Sequence, residues 1–409
     1  MNRTLLALLV LGAGLASGAW QSVGPDGGYI QAMAIDPSAP ARVYAVPYEY
    51  PANARVFRSE DRGASWSVAG TIPYYSVTAL EVDPHDSDRL YALARGTMLY
   101  RSTDRGASWT GVTLPAYAAG ISPDPLVAGR VYLAGYYSYG GAYRGAAYIS
   151  TDHGQTWGVS MPRPDTTGYA YAVAADPVDT GTVYLGAAYS QLYKSTDAGA
   201  TWSRASSGIP YAASIQGLSV NGSDNRVVLA AVSSGMYRST DAGASWTPVG
   251  SMTGVMSAAF SGADPSVAYC VGRSDSMRVW VSTDAGANWT LPVPGYTTLK
   301  TTALHPDPAE PAAAWLNTQV GIFRSTDRGT NWHTAHDGLR IAKISCVSAS
   351  AEDPSRLYVE VAENGVFKTP NAGATWTRCS DFLSCGNICG IGVARGGGRD
   401  VLYALEGSG

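Results

Sequence analysis

Phenylalanine is scarce in this chain, and so is charge. Of 409 residues only 5 are Phe, Asp, Glu, Lys and Arg together make up 15%, and the formal net charge is −4. Without a cluster of Lys and Arg there is no electrostatic footprint for nucleic acid. Beyond the first twenty positions no stretch of about 18 apolar residues occurs, so no membrane-spanning helix is expected there. The His-Glu-x-x-His, Gly-x-Ser-x-Gly and Walker patterns are absent. That removes the usual signatures of zinc proteases, serine hydrolases and P-loop nucleotide binders. The 5 histidines (His85, His153, His305, His333 and His336) are scattered, and no Asp-x-Gly segment continues as an EF-hand loop. No cofactor and no metal site is therefore expected.

What the chain has instead is glycine (47), tyrosine (26) and tryptophan (11). That profile suits an all-β protein with many turns and aromatic rims. The start, Met1-Asn2-Arg3, is basic, residues 5–15 are apolar, and small residues precede Trp20. The order is that of a secretory signal peptide, residues 1–19, cleaved after Ala19. The mature chain, 20–409, is expected to be secreted, periplasmic or at the cell surface. Export is compatible with one local disulfide among Cys379, Cys385 and Cys389. Cys270 and Cys346 read as small buried hydrophobes.

The pattern Ser-x-Asp-x-Gly-x-x-Trp recurs with its Trp at 66, 109, 157, 202, 246, 289 and 332, and a divergent eighth copy ends at Trp376. Successive tryptophans are 43 to 48 residues apart. A period of about 40–50 residues holding short strands marks a propeller blade. In the second unit, residues 77–83, 89–94 and 97–102 read as strands, and an outer strand starts at Trp109. The acidic phrase then falls in the turn between the third and fourth strands. Its carboxylate can accept N–H groups of its own turn, glycine supplies a positive φ, and tryptophan packs back on the blade. Asp61, Asp104, Asp152, Asp197, Asp241, Asp284, Asp327 and Asn371 are accordingly read as structural. Asn371 supports this, because an amide can keep turn hydrogen bonds but cannot replace a catalytic acid.

These phrases resemble the Asp-box, or BNR, repeat of sialidase-type β-propellers, over nearly all of the mature chain. Related propellers include sialidases, xyloglucan-degrading hydrolases, sortilin-type receptors and photosystem II assembly factors. The resemblance implies an all-β propeller of about eight four-stranded blades, with seven to nine allowed, and leaves activity open. The Arg-Ile-Pro motif of sialidases is missing, and no motif assigns Arg95, Arg144, Arg273 or Arg278 to a carboxylate-gripping triad. The opening segment is similar to the first blade of xyloglucanase-like propellers. Where those carry a catalytic Asp, this chain has Glu49 as the only carboxylate of "PYEYPANARVFRS". A glycosidase needs two carboxyl groups, and nothing in the sequence pairs Glu49 with Asp165 or Asp275.

The face opposite the boxes collects tyrosines. Tyr29, Tyr74, Tyr75, Tyr117, Tyr169, Tyr171, Tyr211 and Tyr296 fall just before innermost strands. Tyr136, Tyr137, Tyr139 and Tyr143 lie in what reads as a long loop, residues 135–145, and Tyr48 and Tyr50 lie in "PYEYP". They are expected to form an aromatic crown around the channel that recognises glycan or protein. The expected function is an exported, non-catalytic binding propeller. The alternatives are a glycoside hydrolase of sialidase or xyloglucanase kind and an assembly factor similar to the photosystem II propellers. "WQSV" at 20–23 reads as an outer strand that closes the ring, and residues 387–409 supply only the first two strands of a ninth unit.

Overall fold

The computed structural model describes residues 28–406 apart from 50–52, 140, 161–167, 212, 273–277, 292–300, 320, 336–343, 351–352, 354, 362–364, 374, 380–387 and 397–398. The expected signal peptide, residues 1–19, and residues 20–23 lie outside the described residues. Nine antiparallel sheets follow one another along the chain. Blade 1 is Ile30–Ile35, Val43–Pro47, Ala54–Ser59 and Ser67–Ile72, paired in chain order from inner to outer strand. Blade 2 repeats this with Val77–Asp83, Asp86–Ala94, Met98–Ser102 and Thr110–Thr113. Blade 6 has three strands, and its outer strand shrinks to one bridge between Val281 and Thr290. Pro292 and Pro294 follow that bridge, and neither can donate to a ladder. Among the described residues no helix is long and apolar enough to cross a membrane.

The second strand of each blade is buried on both faces. It therefore reads as an unbroken apolar run, Val-Tyr-Ala-Val in blade 1, rather than as an alternation. Among the described residues seven hydrophobic clusters result, each at a seam between two of the first seven blades. One of them joins Met33, Phe57 and Trp66 of blade 1 to Trp315 and Ile322 of blade 7. The Trp66 indole N–H donates to the Ala335 carbonyl at 3.0 Å. Arg62 pairs with Asp307 at 3.4 Å and with Glu310. The ring thus closes after seven blades, the lowest number in the expected range. The eighth sheet packs instead on the ninth, where Asp400 accepts from Ser350 at 2.8 Å, Arg356 at 2.9 Å and Tyr358 at 2.9 Å. Blade 7 is completed by its own outer strand, His333–Thr334.

Each Asp box is a corner with two functions. Within its turn, Ser102 Oγ donates to Asp104 Oδ1 at 2.7 Å, and the N–H groups of Gly106 and Ser108 donate to Ser102 Oγ (2.8 Å) and Asp104 Oδ1 (2.9 Å). In the eighth copy Asn371 Oδ1 accepts from Thr375 N at 2.8 Å, and its Nδ2 donates to Thr375 Oγ1 at 2.9 Å. The residue between Asp and Gly is left-handed in all eight boxes. At several seams its carbonyl receives a donor from the preceding blade. Tyr184 Oη and Lys194 Nζ reach Ala242 O at 3.0 and 2.9 Å, and Arg238 Nε reaches Ala285 O at 2.8 Å.

The inner strands carry a similar device. Ser122 Oγ accepts from Ala175 N of the next blade at 3.3 Å, and Ser219 Oγ accepts from Phe260 N at 3.1 Å. Glu81 holds the same position in blade 2, two residues before the turn Asp, but the matching residue of blade 3 is Pro123, which has no N–H. Among the described residues nothing donates to the Glu81 carboxyl, and burial pushes it up to about 7. His305, the equivalent in blade 7, is pushed down to about 4 by burial.

Candidate functional site

Strand direction alternates through each blade, so the boxes and the first turns share one side. The blade-to-blade connections and the turns between second and third strands share the other. On that second side, residues 135–145 are no loop. They are the upper half of a hairpin formed by Val131–Tyr139 and Ala142–Ser150, each 9 residues long, where most blades use 4 to 6. Tyr136 faces Gly145 and Tyr137 faces Arg144 in the ladder. The alternating aromatic residues favour strand, and the Gly140-Gly141 tip suits a tight hairpin turn; Gly141 has φ 78°.

A strand sends successive side chains to opposite faces, and this splits the expected site. Tyr136 stacks on Tyr117 with ring centroids 5.3 Å apart and planes 7° apart. It also meets Tyr143 edge-on at 5.6 Å and Tyr169 edge-on at 4.4 Å. Tyr143 stacks on Tyr169 at 5.2 Å, and Tyr169 reaches Tyr171 at 6.0 Å. The five rings form one continuous cluster over the seam of blades 3 and 4. Tyr117 and Tyr143 are each 49% exposed. Burial, and then the neighbouring Tyr169, Tyr117 and Tyr143 phenols, hold the Tyr136 hydroxyl above its usual range, with Arg95 acting the other way. Tyr137 points away and packs on the core between blades 2 and 3, beside Leu93 and Tyr148, so it does not belong to this surface.

The other tyrosines stand apart. Tyr48 pairs with Tyr29 at 5.8 Å, and Tyr75 stacks on Tyr74 at 5.1 Å. Gln31 fixes that connection by donating to Tyr75 O and accepting from Val77 N. Tyr211 stacks on Tyr189 at 6.4 Å, a partner the sequence reading missed. Tyr50, Tyr296 and the Tyr139 side chain lie outside the described residues, as do Asp165, Arg273 and Asp275. The described tyrosines make an arc over blades 3 to 5 and two separate pairs, rather than a closed crown.

Charge on this side is sparse. Among the described loops and connections of the ring's second side, Glu49 is the only carboxylate. Arg55 grips it from Nε at 2.8 Å and from a terminal nitrogen, and donates its backbone N–H at 3.0 Å. On the box side a crevice of about 250 Å³ lies between blades 4 and 5, lined by Lys194 and Asp241. Both are engaged in the seam and its turn. Cys379 is a free thiol, as is the buried Cys270; Cys385 and the side chains of Cys346 and Cys389 lie outside the described residues.

Comparison with known proteins agrees with this architecture. Residues 148–157, the third box, match the BNR/Asp-box repeat, and residues 54–130 match the family described as sortilin, neurotensin receptor 3. A xyloglucanase of Hypocrea jecorina (strain QM6a) is 29% identical over 191 residues, which cover 42% of this chain and 20% of that enzyme. Among solved structures, an ancestral GH74 enzyme superposes with a TM-score of 0.73 at 19% identity, over 96% of this chain and 60% of the enzyme. YCF48 from Cyanidioschyzon merolae superposes with a TM-score of 0.54 at 13% identity, over 74% of this chain and 96% of YCF48. At such identities the likeness is one of fold. The chain spans a fifth of the xyloglucanase it matches.

Proposed function

We propose that this Asp-box propeller is an exported polysaccharide-binding protein that takes a β-glucan, such as xyloglucan, on its tyrosine face without cleaving it. The observation that carries this reading is the cluster of Tyr117, Tyr136, Tyr143, Tyr169 and Tyr171 opposite the boxes. Phenol rings present flat apolar faces with polar tips, which suit the CH faces and hydroxyls of a sugar ring. Their neighbours already hold them in place, so little side-chain entropy is lost on binding. The sequence likeness to a xyloglucanase suggests the ligand class. Glu49, bound to Arg55, is a hairpin clamp rather than a free acid or nucleophile.

The test is retention on xyloglucan, by affinity electrophoresis. Wild type should be retarded, and Tyr136→Ala should lose about tenfold in affinity, as expected for an aromatic anchor. Release of reducing ends from xyloglucan by wild type, abolished in Glu49→Gln, would replace this reading with hydrolysis. The hydrolytic reading is favoured by one observation, the sequence likeness to the xyloglucanase.

A further inference from the structure

We propose that Tyr189 and Tyr211 form a second saccharide platform, so that the face takes an extended, uncharged stretch of polysaccharide across blades 3 to 5; this rests on the polysaccharide reading above. The backbone carries the first argument. Among the described residues, ten that are not glycine have a left-handed backbone, and eight of them are the Asp-x-Gly residues of the boxes. The other two are neighbours, Tyr189 at φ 55° and Ser190 at φ 57°. They are the centre of the turn between the second and third strands of blade 4, closed by Gln191 N donating to Ala188 O at 3.3 Å. Positive φ at both centres is the geometry that Asn-Gly or Gly-Gly ordinarily fills. In blade 2 the corresponding turn has a glycine at positive φ, Gly96. Blade 4 places a bulky aromatic there, against the steric preference of L-residues.

The surroundings hold this strained turn firmly. Ser190 is buried. Its N–H donates to Ala213 O, its hydroxyl donates to Pro210 O, and it accepts from Ala213 N at 3.1 Å. Residues 210–213 are the connection that carries Tyr211, so one buried serine fixes both ring-bearing segments. Tyr211 is 74% exposed and Tyr189 is 44% exposed, and their planes are 22° apart. Packing alone gives little reason to strain a backbone for a Tyr189 ring that stays 44% exposed beside a Tyr211 ring that is mostly in solvent. Presentation to a ligand does. Gly168 makes room beside the Tyr189 ring, since a Cβ there would sit 3.1 Å from Tyr189 Cε2. The N–H of Ala188, the residue before Tyr189, donates to Tyr169 O at 2.9 Å, and Tyr169 belongs to the first cluster. Two platforms therefore adjoin. Residues 187–192 and 205–214, which carry the two rings, contain no Asp, Glu, Lys or Arg, which favours a neutral sugar ring over a charged peptide.

The test is calorimetric titration with cellotriose and cellohexaose, alongside thermal unfolding. Wild type should bind cellohexaose much more tightly than cellotriose. Tyr189→Asn removes the ring and suits the left-handed turn. It should raise the unfolding temperature while losing about tenfold on cellohexaose, so that the gain with chain length shrinks. Tyr211→Ala should lose a similar factor, whereas Tyr136→Ala should weaken both ligands. If Tyr136→Ala weakens binding but Tyr189→Asn and Tyr211→Ala keep the full gain with length, the second platform is refuted and the first stands. If wild type binds neither oligosaccharide nor xyloglucan, both readings fall.

Discussion

Closure at the seventh blade can be tested by removing everything after it. A chain ending at residue 343 keeps all seven blades and the seam in which Trp66 meets Trp315 and Ala335. It should fold, and its main urea transition should keep the full-length midpoint. Within that chain Trp66→Ala should cost about 3–5 kcal/mol, the range for deleting a buried aromatic side chain. Trp66→Phe keeps most of the packing and loses mainly the indole donor, about 1 kcal/mol. The control is Trp109→Phe, whose indole bonds Gly106 O inside its own turn at 2.9 Å, so that no hydrogen bond between blades is lost. Against a typical domain stability of about 5–15 kcal/mol, the Ala variant should be visibly frail. Circular dichroism with urea titration reads all five proteins, the full-length chain included. A shortened chain that is unfolded or aggregated would refute closure at seven, because a larger ring would have been left open.

Three further outcomes follow from the titrating groups. Asp104→Asn should cost under about 1 kcal/mol, because Asn371 shows the amide working in the same corner, whereas Asp104→Ala should cost about 2 kcal/mol by stranding the turn's N–H groups; urea unfolding compares them. Hydrogen bonds from Thr201 hold Asp197 down at about 2 from its ordinary 3.8, so its stabilising share is complete above 3.8 and fades as pH falls toward 2. Glu81 works the other way. Its carboxyl is raised from 4.5 to about 7, so its share is complete below 4.5 and is lost as pH rises through 7. Glu81→Gln should therefore gain on the order of 1–2 kcal/mol over wild type at pH 8 and little at pH 5, read from urea midpoints at both; equal gains at both values would contradict the assignment.

The architecture was legible because the boxes are local chemistry repeated in register. Ser102, Asp104 and Gly106 fold their own turn whatever surrounds them, so the sequence pattern carries the corner. Ring size was not legible in the same way. Several boxes dock on the preceding blade alike, and blade 1 finding Trp315 marks the end. Tyr136 and Tyr137 are adjacent in sequence and look equal, but the pleat turns one to the face and the other to the core. Tyr189 carried no signal, because the turn it occupies lacks the glycine that normally announces such a bend.

The carbonyl between Asp and Gly has one more consequence. Since a main-chain atom makes the bond to the neighbouring blade, the side chain at that spot is left over, and the eight copies fill it with Arg62, Arg105, His153, Ala198, Ala242, Ala285, Arg328 and Ala372. A generic joint thus comes with a blank label. At the closing seam the label is Arg62, read by Asp307 and Glu310, so the first module can be told from six near-copies of itself when the circle is finished.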